Sequence, residues 1–274
     1  MVNKKWGGTC LLVAVVGLAP VSGPRAQENS LAFAIQPIQN ELDTQKAFQP
    51  LADYLAAAIG QQIRIQTYPN FLAYWSATLK GNAYDLVLDA AHFTDYRVQR
   101  QQFEVLAKQP AMSSFSLIVR DDMLTLDPVE LVGRKIATLG PPSVGAARME
   151  AMFPNPARQP IIVEAPDSAA AITLLRRKQV DAAMVPTVLV SAQMASVGGL
   201  SVVATTPQLP APGFSAGPRV PGPVKDKLRI ALTDATRTEA GRKMLQQINF
   251  TEFEPANNNL YKGQATILKD TWGY

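Results

Sequence analysis

The sequence predicts an α/β protein of two lobes, each a mainly parallel sheet flanked by helices, with the chain crossing twice between them. Three observations carry that prediction. Two stretches far apart in the chain share one strand–helix–strand pattern, apolar strands and amphipathic helices fill the sequence around them, and a late proline-rich segment has the composition of a connector.

In chain order, Lys4 and Lys5 precede the apolar run LLVAVVGLAP (11–20), which ends in small and helix-breaking residues before Ala26. This is the pattern of a secretory signal peptide over 1–26. The run is about half the roughly 20 apolar residues a membrane-spanning helix needs. Cys10 lies before that run, where no lipid-modified cysteine would sit. The first strand is LAFAIQ (31–36), followed by a helix with Phe48, Leu51, Ala52, Leu55 and Ile59 on one side and Gly60 as its stop.

The first copy of the shared pattern is IRIQTYPNFLAYWSATLKGNAYDLVLD (63–89) and the second is PIIVEAPDSAAAITLLRRKQVDAAMVP (160–186). Each reads strand, proline, N-cap (Asn70 or Asp167), helix, turn, aspartate (Asp85 or Asp181), strand. Proline and aspartate are 16 residues apart in one and 15 in the other. The match fits two βαβ units of one design; chance is the competing account, because strand–helix–strand is the commonest α/β pattern.

Between and after the copies, FEVLA (103–107), FSLIVR (115–120) and LSVVATT (200–206) read as strands, and 143–153 as a helix. The segment PQLPAPGFSAGPRVPGP (207–223), with six prolines and three glycines, is the connector, with a short strand near Phe214; helices at about 224–233 and 238–248 follow. Residues 27–113 with 207–274 then form lobe I and 114–206 form lobe II, with crossings near Ser113 and Ser114 and near Thr205 and Thr206.

Composition narrows the function. Of 26 basic residues, Lys4, Lys5 and Arg25 belong to the leader, leaving 23 against 22 acidic ones. Nothing in that balance is a footprint for nucleic acid or an acidic membrane surface. The leader also carries the single cysteine, so the mature chain forms no disulfide, which suits a bacterial periplasm for a chain with a large core. With one histidine and no cysteine left, a transition-metal site is not expected; Asp121 and Asp122 read as a solvated loop. No cofactor motif is present, and no phosphate-binding Gly-x-x-x-x-Gly-Lys loop occurs.

The stretch ATLGPPSVGAARME (137–150) admits two readings. Ser143 is a good N-cap, and most capped helix starts bind nothing. Alternatively, the unpaired amides and positive dipole end of the helix, approached closely over Val144 and Gly145, hold an anion. Asp89 and His92 in DLVLDAAHFTDYR are either ligand-binding groups or structural caps of the helix containing Phe93 and Tyr96. Arg176 and Arg177 are read as solvated, and Trp272 and Tyr274 as a tail packed on a lobe.

FQPLADYLAAAIG (48–60), YDLVLD, FSLIVRDDM, ELVGRKIATLGPPS, QVDAAMV and EAGRKMLQQINF fall in an order that resembles the periplasmic solute-binding proteins of phosphate, phosphite and phosphonate ABC importers, over 31 to about 255. The resemblance implies a type II periplasmic-binding clamp that closes on a ligand between its lobes. It implies that the loop Pro142 to Ala146 holds the oxyanion. Where phosphonate binders have Ser-Thr-Ser-Gly, only Ser143 keeps a hydroxyl here, and Phe71, Phe93 and Pro186 replace polar family residues, so the cleft is more apolar than the family pattern. The expected ligand-binding set is Gln36, Asn70, Phe71, Asp89, His92, Phe93, Ser143, Val144, Gly145, Asp167 and Thr187. The implied partners are a small anionic solute and an inner-membrane permease, with the protein a monomer and no covalent chemistry. A sensing subunit that reports the same ligand to a membrane receptor is the alternative. A hydrolase, dependent on His92 or Ser143, ranks last.

Overall fold

The computed structural model describes residues 1–2 and 30–268. Apart from residues 1 and 2, the signal peptide read at 1–26 lies outside the described residues, as do Trp272 and Tyr274. No helix of the described residues is long and apolar enough to cross a membrane.

The chain begins with β1 (Ser30–Ile35), α1 (Glu41–Ile59), β2 (Gln62–Gln66), α2 (Phe71–Leu79), β3 (Leu86–Asp89), α3 (Ala91–Gln101) and β4 (Glu104–Lys108). After β5 (Met112–Ser113) it forms β6 (Phe115–Arg120), β7 (Lys135–Thr138), α4 (Val144–Met152), β8 (Ile161–Glu164), α5 (Ser168–Arg176), β9 (Ala182–Pro186), α6 (Thr187–Ser196) and β10 (Leu200–Thr205). It then returns through β11 (Leu209–Pro210) to β12 (Gly213–Ala216), α7 (Gly222–Thr233), α8 (Glu239–Gln247) and β13 (Glu254–Pro255).

Among the described residues two large sheets result, in the orders β13-β4-β12-β3-β1-β2 and β10-β6-β9-β7-β8, with β11 and β5 forming a separate two-stranded ribbon. The parallel pairs occupy one half of each: β2-β1-β3 in the first, β8-β7-β9 in the second. Elsewhere the sheets are antiparallel, at β12, β4 and β13 and at β6 and β10. The sheets are therefore mixed, and parallel order is kept where helices α1, α2, α4 and α5 carry the chain back. The two connections between the sheets lie side by side, because β5 and β11 pair antiparallel with Leu209 opposite Ser113. Beside them, Phe115 and Thr206 exchange bonds through Thr206 N–H to Phe115 O and Phe115 N–H to Thr206 Oγ1.

Local chemistry sets the element ends. Asn40 caps α1 by accepting from the Asp43 amide, Gly60 ends it at φ 71°, and Phe48, Leu51, Ala52 and Leu55 are buried. These side chains pack on Leu31, Phe33 and Phe214 of the first sheet and on Leu228 and Leu245 of α7 and α8. The opposite face of that sheet carries the aromatic cluster Phe71, Tyr74, Trp75, Phe93 and Tyr96 from α2 and α3. The second sheet is covered likewise, by Leu175 and Val190 on one face and Met149 and Phe153 on the other. Each fully buried side chain of this size contributes about 1.5–3 kcal/mol.

The two repeated stretches fold alike. β2-α2-β3 and β8-α5-β9 each leave one neighbouring strand between their two strands, β1 or β7. Asn70 caps α2 through the Ala73 amide, and Asp167 caps α5 through the Ala170 amide. Asp85 accepts from Ala32 N–H through Oδ2 and donates its own N–H to Ala32 O. Asp181 does the same with Lys135. The short strands β5, β11 and β13 have no counterpart in the sequence reading, and neither does the helix α6, which begins at Thr187 without a side-chain cap.

Candidate functional site

The loops at the C-terminal ends of the central strands open into a cleft of about 830 Å³ between the two sheets. Gln36 follows β1, Ala90 follows β3, Leu139 follows β7, and Pro186 ends β9; all four line it. The first turns of α4, α5 and α6 contribute Val144 and Gly145, Ser168 and Ala169, and Thr187 to Leu189. Helix N-termini carry unpaired amides and a positive partial charge, and three of them face this cleft.

At α4, Ser143 Oγ donates to Leu139 O (2.9 Å) and accepts from the Ala146 amide (3.2 Å). The Ala147 amide donates to Ser143 O. Those bonds leave the Val144 and Gly145 amides as the two first-turn donors without a partner among the described residues. The Ser143 hydroxyl is thus occupied in holding the turn. Gly145 is required there for space, because a Cβ would lie 2.5 Å from Thr138 Oγ1, and that hydroxyl already donates to Met184 O.

Gln36 supplies a donor from the other sheet. It is 9% exposed, and its Oε1 accepts from the Ala90 amide at 3.0 Å. An amide N–H only donates, so the contact fixes which end of the side chain is oxygen. The Nε2 protons remain without a protein acceptor among the described residues. Thr187 Oγ1 accepts from Ser114 Oγ and lies 2.9 Å from Ser116 Oγ, which in turn reaches Thr205 Oγ1 at 3.1 Å.

Of the residues singled out from sequence, the cleft wall includes Gln36, Phe71, Ser143, Val144, Gly145, Asp167 and Thr187. Asn70, Asp89, His92 and Phe93 lie outside that wall. Asn70 is exposed and caps α2. Phe93 is completely buried, stacked on Phe71 with ring centroids 6.0 Å apart. Asp89 is completely buried and accepts from Tyr74 Oη (2.7 Å), Arg97 Nε (3.0 Å) and Thr94 Oγ1 (2.9 Å). Arg97 also donates to Tyr74 Oη, Thr78 Oγ1 and Gln101 Oε1 and lies over the Tyr84 ring at 4.9 Å. Burial raises the Tyr74 phenol well above its ordinary range, so it stays a neutral donor.

His92 is also completely buried, with Nε2 2.9 Å from Pro142 O, across the junction between the sheets. A carbonyl only accepts, so Nε2 carries the proton, and Nδ1 has no partner. Burial, opposed by the Pro142 bond and reinforced by Arg148, lowers its pKa to about 4. The same junction buries Val144 against Ala90 and Ala91. Sequence reasoning missed Asp43, Met112, Ser114, Thr138, Met184 and Val188, which line the cleft too. The N-cap pattern pointed to α4 and α5, but nothing local marks strand-end or crossing residues as cleft lining.

In fold the chain is similar to PhnD1 from Prochlorococcus marinus in complex with methylphosphonate, at a TM-score of 0.74 and 14% identity over 88% of this chain and 97% of that one. It is similar to a Xanthomonas citri protein bound to ATP, with TM-score 0.70 and 13% identity over 87% and 98%. A third neighbour is a binding protein component of an ABC phosphonate transporter from Pseudomonas aeruginosa, with TM-score 0.70 and 15% identity over 85% and 83%. Among curated proteins nothing matches. The family model "ABC transporter, phosphonate, periplasmic substrate-binding protein" matches residues 33–261, most of the chain, and the protein belongs to that family.

Proposed function

We propose that the protein captures a solute bearing a phosphonate-like oxyanion in the cleft between its sheets and presents it to the permease of its importer. The observation that carries this reading is the set of unspent donors from both sides of the cleft: the Val144 and Gly145 amides on α4 and the Gln36 amide group after β1. Donors from both walls reward closure, because the oxyanion completes its bonds only when the walls meet. Ser143 acts through the turn it holds, Thr187 through its hydroxyl, and Phe71 and Asp167 as walls.

The reading includes a periplasmic location after removal of the leader, a monomer, no cofactor and no covalent chemistry. His92 and Ser143, the groups a hydrolase would need, are both engaged with backbone atoms. The sensing alternative draws no support from the family.

Calorimetry of the purified protein with methylphosphonate, phosphite and phosphate, with a neutral alcohol as control, tests the reading. Binding of an oxyanion but not of the alcohol is expected. Gln36→Met should weaken it about tenfold or more, as a hydrogen bond to a charged group is worth about 1.5–3 kcal/mol. Unchanged affinity in that variant would remove Gln36 from the site.

A further inference from the structure

The cleft lining holds two ionisable side chains, and both are acidic: Asp43 and Asp167. Among the described residues no lysine, arginine or histidine lines it. Asp167 is bound to the Ala170 amide and Asp43 to Asn40, so their negative charge is directed into α5 and α1 without a basic partner. Helix N-termini supply roughly half a charge each; Asp167 offsets that of α5, so α4 and α6 together leave about one positive charge, which matches one negative charge on a ligand better than two.

The rest of the wall is uncharged, with polar side chains such as Gln39, Gln109 and Ser168 set in a mainly apolar surface, and part of that apolar surface is left uncovered. Ile38 is 37% exposed, Met112 47% and Val188 78%, and all three line the cleft, from the loop after β1, from the crossing strand β5 and from the first turn of α6. Phe71, Leu139 and Met184 extend the same surface inward. A volume of about 830 Å³ lies in the range of roughly 300–1,000 Å³ that encloses ligands of drug size. An inorganic oxyanion or a methyl-substituted one would leave this surface in water.

Resting on the oxyanion reading above, we infer that the solute is an organic oxyanion with a sizeable apolar substituent, the head held at α4 and Gln36 and the substituent laid on Ile38, Phe71 and Val188. Small dianions are poor ligands of this cleft, and so is a nucleotide with its chain of charges.

The test is calorimetry with a graded series: phosphate, methyl-, butyl-, hexyl- and phenylphosphonate, hexanesulfonate, ATP, and hexan-1-ol as the neutral control. Affinity should rise about threefold to fourfold per methylene from methyl to hexyl, which corresponds to about 0.8 kcal/mol each, and hexanesulfonate should bind because its single charge is what the cleft accommodates. Flat or falling affinity along the series, or tightest binding by phosphate or ATP, overturns the inference and leaves the oxyanion reading standing. Hexan-1-ol binding as tightly as hexylphosphonate overturns the oxyanion reading, and no binding by any compound overturns both. Val188→Lys, at an exposed position, places a cation on the wall; it should shift the affinity ratio of methyl- to hexylphosphonate at least fivefold toward methyl. An unchanged ratio counts against the apolar wall.

Discussion

The strand-final residues of the two βαβ copies, Asp89 and Pro186, sit at the ends of β3 and β9 in otherwise matching surroundings. Asp85 and Asp181 tie their strands to the neighbour by the same pair of bonds. Beyond that point the copies diverge. Asp89 turns inward and its carboxylate is consumed by Tyr74, Thr94 and Arg97, whereas Pro186 ends its strand at the cleft and starts α6 with no side-chain cap. One design serves both a buried anchor and a cleft wall, and the difference lies in whether the strand ends in a carboxylate with buried partners or in a proline that leads into the first turn of α6.

The largest way to break that comparison is at the anchor. Asp89 and Arg97 are 0% and 1% exposed, a buried ion pair further tied by Arg97 to Tyr74, Thr78 and Gln101. Removing one charge strands the other, at about 3–5 kcal/mol. Asp89→Asn should therefore lower the urea midpoint severely, while Pro186→Ala changes stability by less than about 1 kcal/mol. Replacing the pair by Asp89→Leu with Arg97→Met should cost less than Asp89→Asn alone; equal costs would mean that packing, not charge, holds the anchor.

Where the two regions meet, His92 supplies the next effect. Its folded pKa of about 4 lies below the unfolded value of about 6.5. The unfolded chain therefore binds the proton first as pH falls. The stability linked to His92 is fully present above about pH 6.5 and is lost as pH drops toward 4, by about 3 kcal/mol in all. Urea titrations from pH 4 to 7 should show this slope, and His92→Gln, whose amide can still donate to Pro142 O, should flatten it. A slope that persists in the variant would assign it to other groups.

The same divergence explains what the sequence could disclose. Strand periodicity, the caps Asn70, Ser143 and Asp167 and the Gly60 stop are local signals, and every one of them marks an element end in the structure. The helix α6 was hidden because its start, PTVLV, is β-branched and capless, and reads as more of β9. Asp89 and His92 looked available because their neighbours in sequence lie near the cleft. Their actual partners come from elsewhere: Tyr74 from α2, Arg97 from the far side of α3, Pro142 from the other sheet. The apolar wall was foreseeable at Phe71 and Val144, but Met112 and Val188 reach it only through the crossing strand and the unread helix.

The smallest effect separates the two copies where they are most alike. Asp85 and Asp181 each accept one strand amide, at 2.9 Å in both cases. Asp85 additionally holds Arg219 at 2.8 Å, with Arg219 half exposed. A surface ion pair of this kind adds about 0.2–1 kcal/mol, and the bond to the amide about 1 kcal/mol in the more exposed copy. Asp181→Ala should thus cost about 1 kcal/mol and Asp85→Ala somewhat more. In an Arg219→Ala background the two costs should become equal within about 0.5 kcal/mol, since the shared bond to the strand is all that remains. A gap that survives this change would place the asymmetry in the burial of Asp85, and the two strand ties would then differ in kind as well as in their neighbours.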